Sequence, residues 1–361
     1  MTRRSTWTTT WQTFSPLSTT NLRRKEDGVA QRCRPLCLRS MEGIMSDGYV
    51  LIDGNSIGFA AQTSHKLSAG GSDTTAIFGV IRSVRQFAAQ YGATRRLIVL
   101  WDGKGWRHTV YPEYKAHRSK PAVTAHEKAQ RAARDSYKAQ KKDIMRGLSL
   151  MGVDQVIAAN MEADDLAAIL TDRYRKQGKR ILLISGDKDW LQLVGNKVAW
   201  FDPIRGKIIT AGTFNEHTGL VNTRQFVEEK CLIGEPGDLG PGSGVGGIGA
   251  KKARDLLERF GSVGGFLNAW MDGSLKDEKL PKAFRDFADE TLPGQSIFER
   301  NKTLVDLRTS ARPSIVGLRV IKGAPDRDAF TEFCGAFAFQ SILKDLDGFL
   351  EPFENAQKEA A

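Results

Sequence analysis

Apolar runs that stop at acidic residues set the pattern of this chain. YVLIDGNS (49–56) ends its run at Asp53, RLIVLWDGKG (96–105) at Asp102, and RILLISGDKD (180–189) at Asp187 and Asp189. Short apolar runs bounded by turn residues predict buried parallel strands. The stretches Thr74–Tyr91 and Glu162–Gln177 lie between them and read as helices. Strand and helix in alternation predict an α/β fold, a central mostly parallel sheet flanked by helices. Further on, VAWFDP (198–203) reads as an edge strand and turn, and Thr223–Ile233 as a helix. The glycine-rich string GEPGDLGPGSGVGGIGAKKARDLLERFG (234–261) then leads into a second helix, Ala250–Phe260. Phe330, Phe333 and Phe337 share one helical face and predict a carboxyl-terminal segment that packs back onto the core. NKTLVDL (301–307) cannot be placed by periodicity, and the chain shows no internal repeat.

The acids change the picture from fold to chemistry. In such sheets ligands bind beyond the carboxyl ends of the strands, where Asp53, Asp102, Asp187 and Asp189 fall. Glu162, Asp164 and Asp165 join them from the first turn of the intervening helix, where the helix dipole favours carboxylates. At about 4 Å and an effective dielectric near 20, each like-charged pair costs roughly 4 kcal/mol. A cation is therefore expected. Oxygen ligands without convergent His or Cys favour magnesium or manganese over zinc.

Charge adds a partner. Among 361 residues the net charge is +11, so a basic surface surrounds an acidic pocket, as an enzyme acting on a polyanion requires. Lys104–Arg146 carries twelve Lys or Arg and four acids, interleaved with Trp106, Tyr111, Tyr114 and Tyr137, a composition suited to single-stranded nucleic acid. The glycine string satisfies G-x-G-x-x-G twice, yet no strand precedes it, so a dinucleotide fingerprint is excluded. Its bare amides at Gly244, Gly246, Gly247 and Gly249, followed by Lys251 and Lys252, can hold a phosphate without reading sequence. Four cysteines, Cys33, Cys37, Cys231 and Cys334, are too few and scattered for a disulfide framework. No apolar run is long enough for a membrane span, and a cytoplasmic protein is expected. Residues 1–46 are Ser-, Thr- and Arg-rich and read as a disordered or spurious extension ahead of the first strand.

These blocks, in this order, resemble the 5′-nuclease (flap endonuclease) family, and look closest to the small stand-alone 5′→3′ exonucleases of phages. The carriers are LIDGNS, WDGKGWRHTVYPEYKAHR, MEADD, SGDKDWLQLV, and GEPGDLGPG with GVGGIGAKKA, spanning Tyr49 to Phe260. The resemblance implies a PIN-like nuclease core over 47–215 and a helical arch within 104–146. It adds a helix-three-turn-helix region for duplex DNA over 216–295 and a carboxyl-terminal segment, 296–361, on the core. It also implies two magnesium ions, replaceable by manganese. Asp53, Asp102, Glu162, Asp164 and Asp165 would hold one, and Asp187, Asp189, Glu235 and Asp238 would complete the other. Lys115 and Arg118 match the basic pair aimed at the scissile phosphate, and Arg107, Tyr111 and Tyr114 would join the glycine hairpin in binding DNA. A potassium ion is expected at that hairpin. The family usually has Asp where Glu235 stands and Asn where Leu239 stands, and Gly242–Gly246 is two residues longer than the common loop.

The expected function is 5′→3′ exonuclease or structure-specific flap endonuclease activity, by two-metal hydrolysis of phosphodiesters. The substrate is DNA with 5′ ends, flaps or nicks, with RNA–DNA hybrid as a further one, and the chain is expected to act as a monomer. The alternative is a DNA-structure-binding protein with weak or no nuclease activity. An RNA-cleaving toxin-like nuclease is disfavoured, because such chains lack the arch and the glycine hairpin.

Overall fold

Asp53 ends a strand and starts a helix, and this double role fixes the working edge of the sheet. GYVLID is extended because its branched and leucine side chains bury on both faces, leaving Val50, Leu51 and Ile52 without exposed surface. The Asp53 carboxylate then accepts from the Ser56 N–H at 2.9 Å and caps the helix Gly54–Gln62. The computed structural model describes residues 48–64, 66–92, 95–119 and 121–358. The amino-terminal extension, with Cys33 and Cys37, lies outside the described residues.

In chain order the strands are β1 Gly48–Asp53, β2 Ser68–Ala69, β3 Ser72–Asp73, β4 Arg95–Trp101 and β5 Asp154–Ile157. They continue with β6 Arg180–Ile184, β7 Val198–Asp202, β8 Lys207–Ile209 and β9 Arg319–Ile321. β2 and β3 form a separate hairpin, while the other seven make one sheet in the order β8-β7-β6-β1-β4-β5-β9. The inner five strands are parallel, and β8 and β9 close the two edges antiparallel. VAWFDP is therefore not the edge strand that was expected: β8 pairs with it on the outside. Three residues are too few to display alternation, which is why β8 and β9 left no readable pattern; β5 is scarcely longer.

Helices cover both faces. Thr75–Tyr91 buries Ile77, Val80, Ile81, Val84, Phe87, Ala88 and Tyr91, the three-and-four spacing of an amphipathic helix against a sheet. It begins one residue later than the sequence suggested. Ala125–Leu150 is a 26-residue helix opened by a capping box, with Glu127 N–H on Thr124 Oγ1 at 3.1 Å and Thr124 N–H on Glu127 Oε2 at 2.9 Å. Its amino-terminal turns are exposed, and burial begins at Tyr137, Gln140, Ile144, Gly147 and Leu148. One end of this helix is thus anchored while the other stands in solvent. NKTLVDL closes the helix Gly294–Val305, where buried Asn301 Nδ2 donates to the carbonyls of Cys231 and Ser243, both at 2.8 Å. That link ties the carboxyl-terminal part to the glycine loop. Phe330 and Phe333 are buried as expected and stack with ring centroids 6.1 Å apart.

Candidate active site

The carboxyl ends of β1, β4 and β6 open on a cleft of about 770 Å³. Eight of the nine candidate acids line it, namely Asp53, Asp102, Glu162, Asp164, Asp187, Asp189, Glu235 and Asp238, together with Lys115 and Arg118. Neither His nor Cys is among the lining residues. The topology explains the convergence: each parallel strand ends at the same level, and the helix Ala163–Lys176 starts there, its Ala163 N–H held by Asp102 Oδ1 at 2.8 Å.

Four of these carboxylates have no cationic partner within ion-pair distance among the described residues. Burial, then the charge of Asp102, pushes Asp53 up to about 7, although Ser185 donates to its Oδ2 at 2.7 Å. Asp164 accepts from the Trp190 indole at 2.7 Å, and burial followed by Asp187, Asp53 and Asp102 raises it well above the usual carboxylate range. Asp102 is exposed at the mouth of the cleft, yet the cleft walls crowd its carboxyl, and that partial loss of water, with Glu162 beside it, raises it too. Asp187 is raised by loss of water and by Asp189. Each shift has the same meaning: negative charge is held here at a cost that a bound cation would remove.

The other acids already have cations. Arg107 is buried, with 1% exposure, and grips Asp165 through two parallel bonds of 2.9 and 3.0 Å. It also donates to Glu162 Oε2 at 3.1 Å and to the Leu304 carbonyl at 2.7 Å. Asp165 further accepts from the Glu162 N–H at 3.1 Å and the Trp106 indole at 3.4 Å. Fully buried with both oxygens used, Asp165 does not reach the cleft as a metal ligand would, which corrects the sequence reading. Arg107 and Tyr114 are corrected as well. They were expected against DNA, but Tyr114 is buried, its hydroxyl donating to Glu162 at 3.0 Å and Asp238 at 3.2 Å. Tyr137 is buried too, its hydroxyl donating to Asn55 Oδ1 at 2.9 Å.

Lys115 Nζ contacts Glu162 Oε1 at 2.6 Å and Asp238 Oδ2 at 3.7 Å. Burial alone would raise Glu162, but Lys115 and Arg107 outweigh it and hold the carboxyl below its ordinary value. Lys115 has a left-handed backbone, φ 56°, which costs on the order of 1–3 kcal/mol outside glycine. Its N–H donates to the Asp238 carbonyl at 2.6 Å, so the turn that carries Asp238 fixes the strained residue. Arg118 Nη2 reaches Asp238 Oδ1 at 2.5 Å. Lys230, which the sequence reading missed, bridges Asp189 and Glu235. It lies inside the helix Thr223–Ile233, and no local pattern marks a lysine that acts across the fold.

The glycine hairpin folds tightly onto that helix. A Cβ on Gly244 would stand 2.0 Å from the Ile233 carbonyl oxygen, and Val245 N–H donates to Leu232 O at 2.8 Å. Gly246, Gly247 and Gly249 are exposed, with Gly249 just ahead of the helix Ala250–Phe260. Lys251 is exposed, and Lys252 Nζ donates to the Gly247 carbonyl at 2.8 Å. Tyr111 is half-buried under Arg300, whose guanidinium lies 5.4 Å from its ring centre.

Residues 48–229 match the family model for the 5′-3′ exonuclease N-terminal resolvase-like domain. The chain belongs to the 5′-3′ exonuclease family. This nuclease is 27% identical over 283 residues to a 5′-3′ exonuclease of Aquifex aeolicus, covering 77% of its own length and 86% of the relative. It is also 27% identical over 232 residues to a 5′-3′ exonuclease of Buchnera aphidicola, covering 63% and 76% of the two chains. Its fold matches the bacteriophage T5 flap endonuclease solved with DNA and metal ions, with a TM-score of 0.57 at 24% identity over 86% of this chain and 99% of that one. A 5′-nuclease core and a mostly parallel sheet flanked by helices are thus the fold and function of this chain.

Proposed function

We propose that the nuclease is a divalent-cation-dependent 5′→3′ exonuclease and flap endonuclease acting on DNA, with magnesium as its ion. The observation that carries this is the set of raised, cation-free carboxylates Asp53, Asp102, Asp164 and Asp187 at one end of the sheet. Their hard oxygen donors fit magnesium or manganese. Asp53, Asp102 and Asp164 would hold one ion and Asp187 would reach the second, while Asp189, Glu235 and Asp238, tied to Lys230, Lys115 and Arg118, would shape the cleft beside it and Glu162 would orient Lys115. When bound, the ions lower the pKa of the attacking water and offset charge on the phosphate and leaving oxygen.

The protein's own contribution is positioning. Lys115 and Arg118 offer preorganised positive charge to the scissile phosphate, and Asp238 keeps both in place. Exposed amides at Gly246, Gly247 and Gly249, with Lys251, hold a duplex phosphate, and the exposed turns of Ala125–Leu150 present their lysines and arginines to a single strand. The same reading seats a potassium ion among the hairpin carbonyls, includes RNA–DNA hybrid among the substrates and takes the chain as a cytoplasmic monomer.

A 5′-labelled flap and a nicked duplex, each incubated with and without magnesium, test the proposal. Labelled products in the magnesium arm alone are expected. Equal cleavage in a chelator, or a bound but intact substrate with magnesium present, would overturn it.

A further inference from the structure

We propose that the end of the sheet opposite the cleft carries a binding site for a small tetrahedral oxyanion of the phosphate class, formed by Arg95, Arg180 and the Tyr91 hydroxyl. Arg95 opens β4 and is 4% exposed, yet none of its three guanidinium nitrogens has a hydrogen-bond partner among the described residues. Its sequence neighbour shows the contrast, since Arg96 is paired with Asp154 at 2.6 Å. A buried guanidinium is tolerated when an anion meets it, and no acid of the described residues does so here.

The register supplies the rest of the site. Gly48 of β1 is aligned with Arg95 on one side and with Arg180 of β6 on the other. Residues level with one another in neighbouring parallel strands present their side chains to the same face, so the two arginines flank Gly48 across two strand spacings, roughly 10 Å. Gly48 brings no side chain between them and has no room for one, because a Cβ would stand 2.1 Å from the Arg180 carbonyl oxygen. Tyr91 ends the helix on that face, and its buried hydroxyl also lacks a partner among the described residues. Two forked cations and a hydroxyl donor brought to one face of the sheet match a tetrahedral oxyanion. The partial negative charge at the end of helix Thr75–Tyr91 offsets some of the field, but none of its carbonyls accepts from the guanidinium. Loss of water, with Arg180 nearby, holds Arg95 below its ordinary range, and burial pushes Tyr91 up to about 12, as expected of donors lacking their acceptor. About 20 Å of strand separates this position from the cleft.

Thermal unfolding of the full chain, free of divalent ions and titrated with sodium phosphate at ionic strength held constant by sodium chloride, tests the site. The melting temperature of the wild type should rise saturably. Arg95→Met should melt at least as high as the wild type without phosphate and need at least ten times more of it for half the rise. If Arg95→Met does not fold, Arg95→Lys serves instead, keeping the charge without the fork, and should weaken the response about tenfold. A response undiminished in the Arg95 variants, or no response in the wild type, would overturn the proposal. An equal rise with chloride alone would refute its oxyanion selectivity.

Discussion

Two sets of acids share one cleft and are built on opposite principles. Glu162, Asp165, Asp189, Glu235 and Asp238 are each in contact with Arg107, Lys115, Arg118 or Lys230. Asp53, Asp102, Asp164 and Asp187 face one another without such contacts, and all four are pushed upward. The chain supplies counter-ions where it needs rigidity and leaves them out where an external cation is to bind. Carboxylates of one residue type thus divide into those that shape the cleft and those that serve it.

Removing one member of each set should have opposite consequences. Asp187→Asn, from the unpaired set, should lower flap cleavage about ten-thousand-fold, roughly 5 kcal/mol of transition-state stabilisation, while a gel shift still detects DNA binding at near wild-type affinity. Arg107→Met strips the paired set of its buried cation and leaves Asp165 exposed to a dry interior; urea unfolding should register a loss of about 3–5 kcal/mol. If the two variants exchanged phenotypes, the division would be wrong.

Acidity sharpens the contrast further. Between the ordinary 3.8 of an aspartate and the value near 7 for Asp53, the unfolded chain releases a proton that the folded chain keeps. Stability free of divalent ions should therefore fall as pH rises through that window, by up to about 4 kcal/mol from this group, and level off above it. Asp53→Asn should flatten that part of the profile. The smallest effect belongs to the hairpin, away from both sets. Lys251→Ala with Lys252→Ala should weaken duplex binding about tenfold and reduce the slope of log affinity against log salt by roughly 1 to 2, with the rate at saturating DNA unchanged.

Much of this was legible in the sequence because it was local. The strand-end acids were readable since an apolar run and its terminal aspartate are contiguous, as at Asp53 and Asp102, and the acidic helix start because Glu162, Asp164 and Asp165 fall within one turn. What escaped depends on distance. Asp165 looks like its neighbour Asp164 until the chain folds and brings Arg107 against it, 58 residues away in sequence. Arg107 and Tyr114 sit in a basic, aromatic stretch whose composition suits DNA, yet composition does not tell which side chains of a short helix and the turn after it point inward. Lys230 is likewise an ordinary helical lysine until its helix is placed beside Asp189. Strands β8 and β9 were lost for a simpler reason, as three residues hold no period.

Calorimetric titration of manganese into the protein, free of other divalent ions and without DNA, bears most directly on the central claim. The wild type should bind, Asp53→Asn and Asp164→Asn should each weaken binding at least tenfold, and Asp165→Asn, if folded, should bind within about threefold of the wild type, since its carboxylate is used by Arg107. Equal weakening by Asp164→Asn and Asp165→Asn would contradict the account.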